Sequence, residues 1–254
     1  MLHNYHTHTP RCNHARGTEE EYVRAALEAG LQTLGFADHT PYPFPNGYTS
    51  TFRMGVAELP DYADAVRAVQ KQFAGQIDIR LGVEAEFYPA YFADLLHLLQ
   101  DHGVEYMILG QHMVGNEIGE HYLGAPTDAT VLERYCNQCI EAMHTGLFTY
   151  FAHPDLVHFI GDPKTYCAQM RRICQAANAC GLPLEYNLLG LQGNRHYPNP
   201  MFWEIAAEEN CAVILGRDAH DPQHLLDIAT EEKALAHLAA LQLPVLEHVT
   251  IRTL

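Results

Sequence analysis

The chain has 254 residues, 48% of them hydrophobic, with 15 basic and 31 acidic side chains and a formal net charge of -16. That is ample apolar mass for one large core, and residues 1–254 are read as a single domain. The acidic balance excludes a general binder of the nucleic-acid backbone, and no apolar run approaches the length that spans a bilayer.

In chain order, the first signal is His6-Thr7-His8, with His14 close behind. Alternate residues of a strand face the same way, so His6 and His8 can aim at one metal, although two imidazoles complete no coordination shell. Thr18 and Glu21 form a capping box, and the stripe Tyr22, Val23, Ala26, Leu27 makes a helix that Gly30 stops. Residues 33–37 read as a strand that delivers Asp38 and His39. The Pro-, Gly- and aromatic-rich stretch 40–57 is too long for an ordinary connection and reads as a functional loop.

A helix carrying Tyr62, Val66, Val69 and Phe73 leads to a strand at 77–83 and then to Glu84-Ala85-Glu86. Helix 90–102 and strand 106–109 end in Gly110-Gln111-His112. Helix 127–144 precedes Thr149-Tyr150-Phe151-Ala152-His153-Pro154. Asp162 and Pro163 open the next helix as cap and first-turn residues, and Gly181 closes it. Strands at 182–186 and 212–215 follow, the last running into Gly216-Arg217-Asp218-Ala219-His220.

This is about seven βα units, with a polar, metal-competent residue at or just past nearly every strand end. Parallel strands alternating with helices close into barrels whose chemistry gathers at the C-terminal strand ends. His6, His8, His39, Glu84, His112, His153, Asn187, Asp218 and His220 would converge on one mouth. Any one of these histidines alone reads as a surface or packing residue; the repeated placement makes the set a metal centre. His97, His102, His121, His144, His158, His224, His237 and His248 lack it and read as solvated or packing, while His196 falls in neither group.

Seven cysteines without a basic, apolar leader imply reduced thiols and a cytoplasmic setting. Cys136 and Cys139 form a CxxC in a helical pattern with no second CxxC, which reads as two small core residues one turn apart. Cys12 stands apart because it sits inside the histidine-rich opening.

The motifs His6-Thr7-His8, Ala37-Asp38-His39, Gly82-Val83-Glu84, Gly110-Gln111-His112, Ala152-His153-Pro154-Asp155-Leu156 and Asp218-Ala219-His220 resemble those of the PHP (polymerase and histidinol phosphatase) superfamily. The opening HTHTPxCxHA, Phe52-Arg53-Met54 and the segment from Gly82 to Pro89 are similar to its histidinol-phosphatase branch. The resemblance implies a distorted (β/α)7 barrel of the PHP type, with three divalent metal ions (zinc, manganese or iron) at the C-terminal ends of the strands. One ion would take His6, His8, Glu84 and Asp218, with Glu84 bridging to a second held by His112 and His153. The third would take His14, His39 and His220. Glu86 shares a face with Glu84, and only the resemblance favours Glu84 as the bridge.

The activity implied is hydrolysis of a small phosphomonoester by metal-activated hydroxide, with Asp218, Glu84 and His153 as the catalytic set. The branch pattern points to L-histidinol phosphate, in histidine biosynthesis. Phosphate also calls for a guanidinium fork, supplied by Arg195 first and Arg53 second; Arg11, Arg16 and Arg217 rank lower. Two departures bear on substrate: Gly110-Gln111-His112 replaces the branch's Ser-Val-His, and Gly190-Leu191-Gln192 replaces Gly-Leu-Arg. Either Arg195 compensates or the ester differs, so a PHP phosphoesterase acting on a nucleotide, sugar phosphate or short diester is the enzyme alternative. A metal-stabilised interaction module is the non-enzyme one. The expected partner is a small phosphate ester, not long nucleic acid or membrane, and the sequence leaves oligomeric state open.

Overall fold

Short apolar runs and amphipathic stripes alternate through the chain, and in the computed structural model, which describes residues 1–45, 47–119 and 121–254, they fold as successive β/α repeats. The strands are β1 His3–Asn4, β2 Thr33–His39, β3 Asp78–Ala85, β4 Tyr106–Leu109, β5 Phe148–Phe151, β6 Leu184–Asn187 and β7 Val213–Gly216. Between and after them run α1 Glu19–Glu28, α2 Leu59–Gln72, α3 Phe92–Asp101, α4 Ala129–His144, α5 Pro163–Ala179, α6 Leu188–Gln192, α7 Pro200–Glu208 and α8 Ile228–Ala240. The Thr18 capping box opens α1, and the side chains of Asp128 and Asp162 cap α4 and α5.

All neighbouring strands pair in parallel, in the order β1 to β7. A parallel bridge between Thr7 and Ala219 carries the sheet round toward closure, with His8 N donating to Ala219 O at 2.9 Å and Ala219 N to His6 O at 3.1 Å. The result is a seven-stranded parallel barrel, as the βα rhythm predicts, in the distorted form that the family resemblance implies.

The first strand is shorter than expected. Regular pairing stops at Asn4, whose side-chain amide donates to His6 O and Thr7 Oγ1 alongside the backbone bonds that His6 O and Thr7 O accept from Ala219 N and Ala37 N. His6 and His8 therefore lie just beyond the strand, yet the chain stays extended and both rings point inward, fully buried. Below them Tyr106, Tyr150, Ile108 and Ile214 fill the barrel, and Val249 and Ile251 of the C-terminal segment close its lower end. With side chains packed below, the barrel opens at the mouth formed by the C-terminal strand ends. No helix among the described residues is long and apolar enough to cross a membrane.

Candidate metal centre

Glu84, on β3, is the hub. Its Oε1 lies 2.7 Å from His153 Nε2, 3.5 Å from His112 Nε2 and 3.6 Å from His6 Nε2. Its Oε2 lies 2.9 Å from His39 Nδ1 and 3.6 Å from His8 Nε2. Asp218 faces it across the mouth, with Oδ1 at 3.1 Å from His8 Nε2, 3.5 Å from His6 Nε2 and 3.3 Å from His220 Nδ1. His14 joins from the rim, its Nε2 at 3.0 Å from His220 Nε2. The structure thus brings all nine sequence-predicted ligands to one place, supplied by segments spread from residue 6 to residue 220.

The centrality of Glu84 rather than Glu86 has a local cause. A Cβ on Gly110 would lie 2.0 Å from Glu84 Oε1, so this glycine makes the room the carboxylate occupies. Glu86, two residues on, accepts from His112 Nδ1 at 2.9 Å and pairs with Arg53, which places it behind the ligand rather than among the ligands.

The same arrangement recurs. His6 Nδ1 contacts Glu185 Oε2 at 2.8 Å and His8 Nδ1 lies 3.4 Å from Asp38 Oδ1. His14 Nδ1 and His220 Nδ1 contact the carbonyl oxygens of Cys12 and Asp218, at 2.7 and 2.9 Å. An imidazole whose Nδ1–H is held by an oxygen keeps the lone pair on Nε2 for a metal, and such outer partners fix ring orientation.

The donor set fits divalent ions. Among the described residues, buried His6 Nε2, His8 Nε2, His39 Nδ1 and Glu84 Oε2 find no hydrogen-bond partner, a state that leaves polar atoms costly unless a cation meets them. Groups of three donors lie close enough to share one ion, among them His6, His8 and Glu84, and His8, His39 and His220. Electrostatics agree. Burial pushes the Glu84 carboxyl up, but His112, His39 and His6 outweigh it and hold it well below the usual range. Burial likewise opposes charge on His6, yet Glu185, Asp218 and Glu84 lift it to about 10. Burial and the neighbouring His8 and His112 push His39 down to about 3 despite Glu84, so without metal protons supply the positive charge at His6 and not at His39. His153 and Asp218 also have positive φ, 32° and 48°, a strain of about 1–3 kcal/mol each that local packing sustains at a working site.

Above the ligands is a cavity of about 530 Å³ walled by Phe52, Tyr122, Leu156, Leu189 and Tyr197. Arg195 is the one arginine or lysine among its described lining residues, with Nη1 donating to Tyr197 Oη at 2.7 Å. Arg53, expected to bind phosphate, does something else. Its guanidinium is buried, forked onto both Glu86 oxygens at 2.8 and 2.9 Å, and bonded to Glu117 Oε2 at 2.7 Å and Thr40 O at 2.8 Å. It steadies Glu86 and, through it, His112. Arg11, Arg16 and Arg217 pair with Glu19 and Asp61, Asp221, and Glu231, away from the ligands.

Sequence reasoning missed Glu185, whose signal was a lone carboxylate within an apolar strand. It also set His224 aside, which lines the cavity and accepts from His220 N at 3.2 Å.

A parallel barrel with a histidine- and carboxylate-lined centre at the C-terminal strand ends defines the barrel-type metallohydrolases. Within that class the PHP domain family matches residues 4–188, and the chain belongs to this family. It is 36% identical over 232 residues to a Deinococcus radiodurans protein named "Probable histidinol-phosphatase", covering 85% of each chain. It is 30% identical over 250 residues to a Bacillus subtilis histidinol-phosphatase, covering 85% of this chain and 92% of that one. Among solved structures, histidinol phosphate phosphatase from Lactococcus lactis, complexed with zinc, L-histidinol and phosphate, superposes with a TM-score of 0.72. That match covers 96% of this chain and 95% of the other at 17% identity, and it bears on the fold.

Proposed function

We propose that this chain is a metal-dependent phosphatase that hydrolyses L-histidinol phosphate to L-histidinol and phosphate. The observation that carries the reading is the cluster of buried histidines on Glu84 and Asp218, opening into a cavity with one arginine, in a chain 36% identical to a named relative. Three divalent ions are assigned: one to His6, His8, Glu84 and Asp218, one to Glu84, His112 and His153, one to His14, His39 and His220. Such ions supply Lewis-acid charge for the phosphoryl oxygens and an activated water at neutral pH.

The chain's own residues do the rest. Arg195, steadied by Tyr197, forks onto the phosphate from the mouth. Burial pushes the Asp218 carboxyl up, but His6 and His220 hold it ionised, so it accepts from and orients water near the leaving oxygen. Glu84 and His153 fix the floor beneath the phosphorus. Phe52, Tyr122, Leu156 and Leu189 present apolar faces to the imidazole-bearing group, in a cavity of ordinary small-molecule size. The protein acts as one domain, and its seven free cysteines suit the reducing cytoplasm.

The test is phosphate release from L-histidinol phosphate beside sugar phosphates, nucleotides and a diester, with and without chelator. The expected result is a specificity constant of about 10⁴ M⁻¹s⁻¹ or more for histidinol phosphate, well above the panel and abolished by chelation. Weak, unselective turnover would keep the metallophosphatase and discard this substrate.

A further inference from the structure

Cys12 is fully buried, yet it belongs to neither apolar cluster of the protein, whereas buried Cys136, Cys139, Cys174 and Cys211 all pack into the main core. It follows Pro10 and Arg11 in a single 3-10 turn that Thr9 caps, which turns its side chain back beneath the rim of the mouth. Its sulfur accepts from Ala15 N at 3.3 Å. The sulfur and one nitrogen each of His14 and His220 lie mutually within 4.8 Å, close enough to share one ion.

A second observation points to a cation at that spot. His14 and His220 each direct Nδ1 at a backbone carbonyl oxygen, which only a protonated Nδ1 satisfies. Their Nε2 atoms face each other at 3.0 Å, an approach that calls for a positive charge between the rings, which a metal ion supplies and which an imidazolium proton supplies in its absence.

We propose that Cys12 is a ligand of the rim metal, placing its thiolate beside the nitrogens of His14 and His220. The inference rests on the metal-centre reading above and adds a donor to it. A metal–sulfur bond forms, the S–H bond breaks, and one proton per ion passes to solvent. The consequence is chemical selectivity. A thiolate favours zinc, iron or cobalt over manganese and magnesium at the rim, while the inner positions offer only nitrogen and oxygen.

The experiment loads chelated protein with cobalt(II) and records thiolate-to-metal charge-transfer absorption in the near-ultraviolet alongside cobalt content. Wild type should develop the band as the last ion binds. Cys12→Ser should lose it, and that ion's affinity should fall by more than the roughly 10–100-fold that loss of an outer partner costs. Cys136→Ser should keep the band. Full cobalt occupancy without a band, or a band unchanged in Cys12→Ser, overturns the thiolate ligand and leaves the metal centre standing. Protein that binds no cobalt overturns the metal centre itself. If Cys12→Ser fails to fold, X-ray absorption on zinc-loaded wild type decides, through a sulfur shell at about 2.3 Å that is either present or absent.

Discussion

The inner and outer halves of the centre are oriented by different parts of the chain. Inside, His6, His8 and His112 are aimed by the carboxylates of Glu185, Asp38 and Glu86, which arrive on or just past separate strands. At the rim, His14 and His220 are aimed by carbonyls only two residues away in their own loops. Inner geometry is thus fixed by the barrel before any ion binds, whereas rim geometry follows the loops that carry it. The difference implies tight, preorganised inner sites and a weaker, exchangeable outer one.

The inner half can be broken most completely at its shared carboxylate. Glu84→Ala should lower turnover by ~10³-fold or more and reduce bound metal, measured by kcat beside elemental analysis of the purified variant. Retained activity with a full metal load would remove Glu84 from the hub.

The support behind the inner half is the next target. Arg53→Met leaves Glu86 and Glu117 as buried carboxylates without their cation, and urea unfolding should show a loss of about 3–5 kcal/mol. A loss no larger than that of a surface substitution would mean the network carries no such weight. Glu185→Gln is milder: it keeps the shape behind His6 but weakens the acceptor, and inner-ion affinity should fall roughly 10–100-fold with rim binding unchanged. Equal weakening of all ions would contradict the division into halves.

The smallest effect is one of pH. Burial opposes charge on His6, but Glu185, Asp218 and Glu84 raise it to about 10 in the absence of metal, above its unfolded value of about 6.5. Its contribution to the apoprotein is therefore complete below pH ~6.5 and is lost as pH rises through about 10. Melting temperatures of chelated protein should fall across that window. Loaded protein, in which ions replace the protons, should change less; parallel curves would contradict the exchange.

Most of the assigned ligands were legible in the sequence as metal-binding residue types at or just past the end of an apolar run, whereas His14, at the rim, was assigned only through the family resemblance. Of the supporting carboxylates, Asp38 and Glu86 stood beside those ligands in the sequence, but Glu185 did not. Glu185 lies between Leu184 and Tyr186 in a strand that reads as apolar, and its place depends on Gly216, where a Cβ would approach Glu185 Oε2 to 2.1 Å. Nothing local to residue 185 announces that space on the neighbouring strand. Arg53 misled for a related reason. Its partners Glu86 and Glu117 are 33 and 64 residues away, so a side chain that looked available for phosphate is already committed. The first strand ends at Asn4, where the side-chain amide bonds to His6 O and Thr7 Oγ1 and regular pairing with β2 gives way to single bonds. Strand order, by contrast, followed from the βα rhythm alone.

The most direct test of the inner–outer division is a zinc titration of chelated protein, with bound zinc and phosphate release from L-histidinol phosphate followed together. The account predicts that two equivalents bind tightly with little turnover, and that a third, weaker equivalent brings activity. Full activity at one equivalent, or three equivalents bound with indistinguishable affinity, would contradict it.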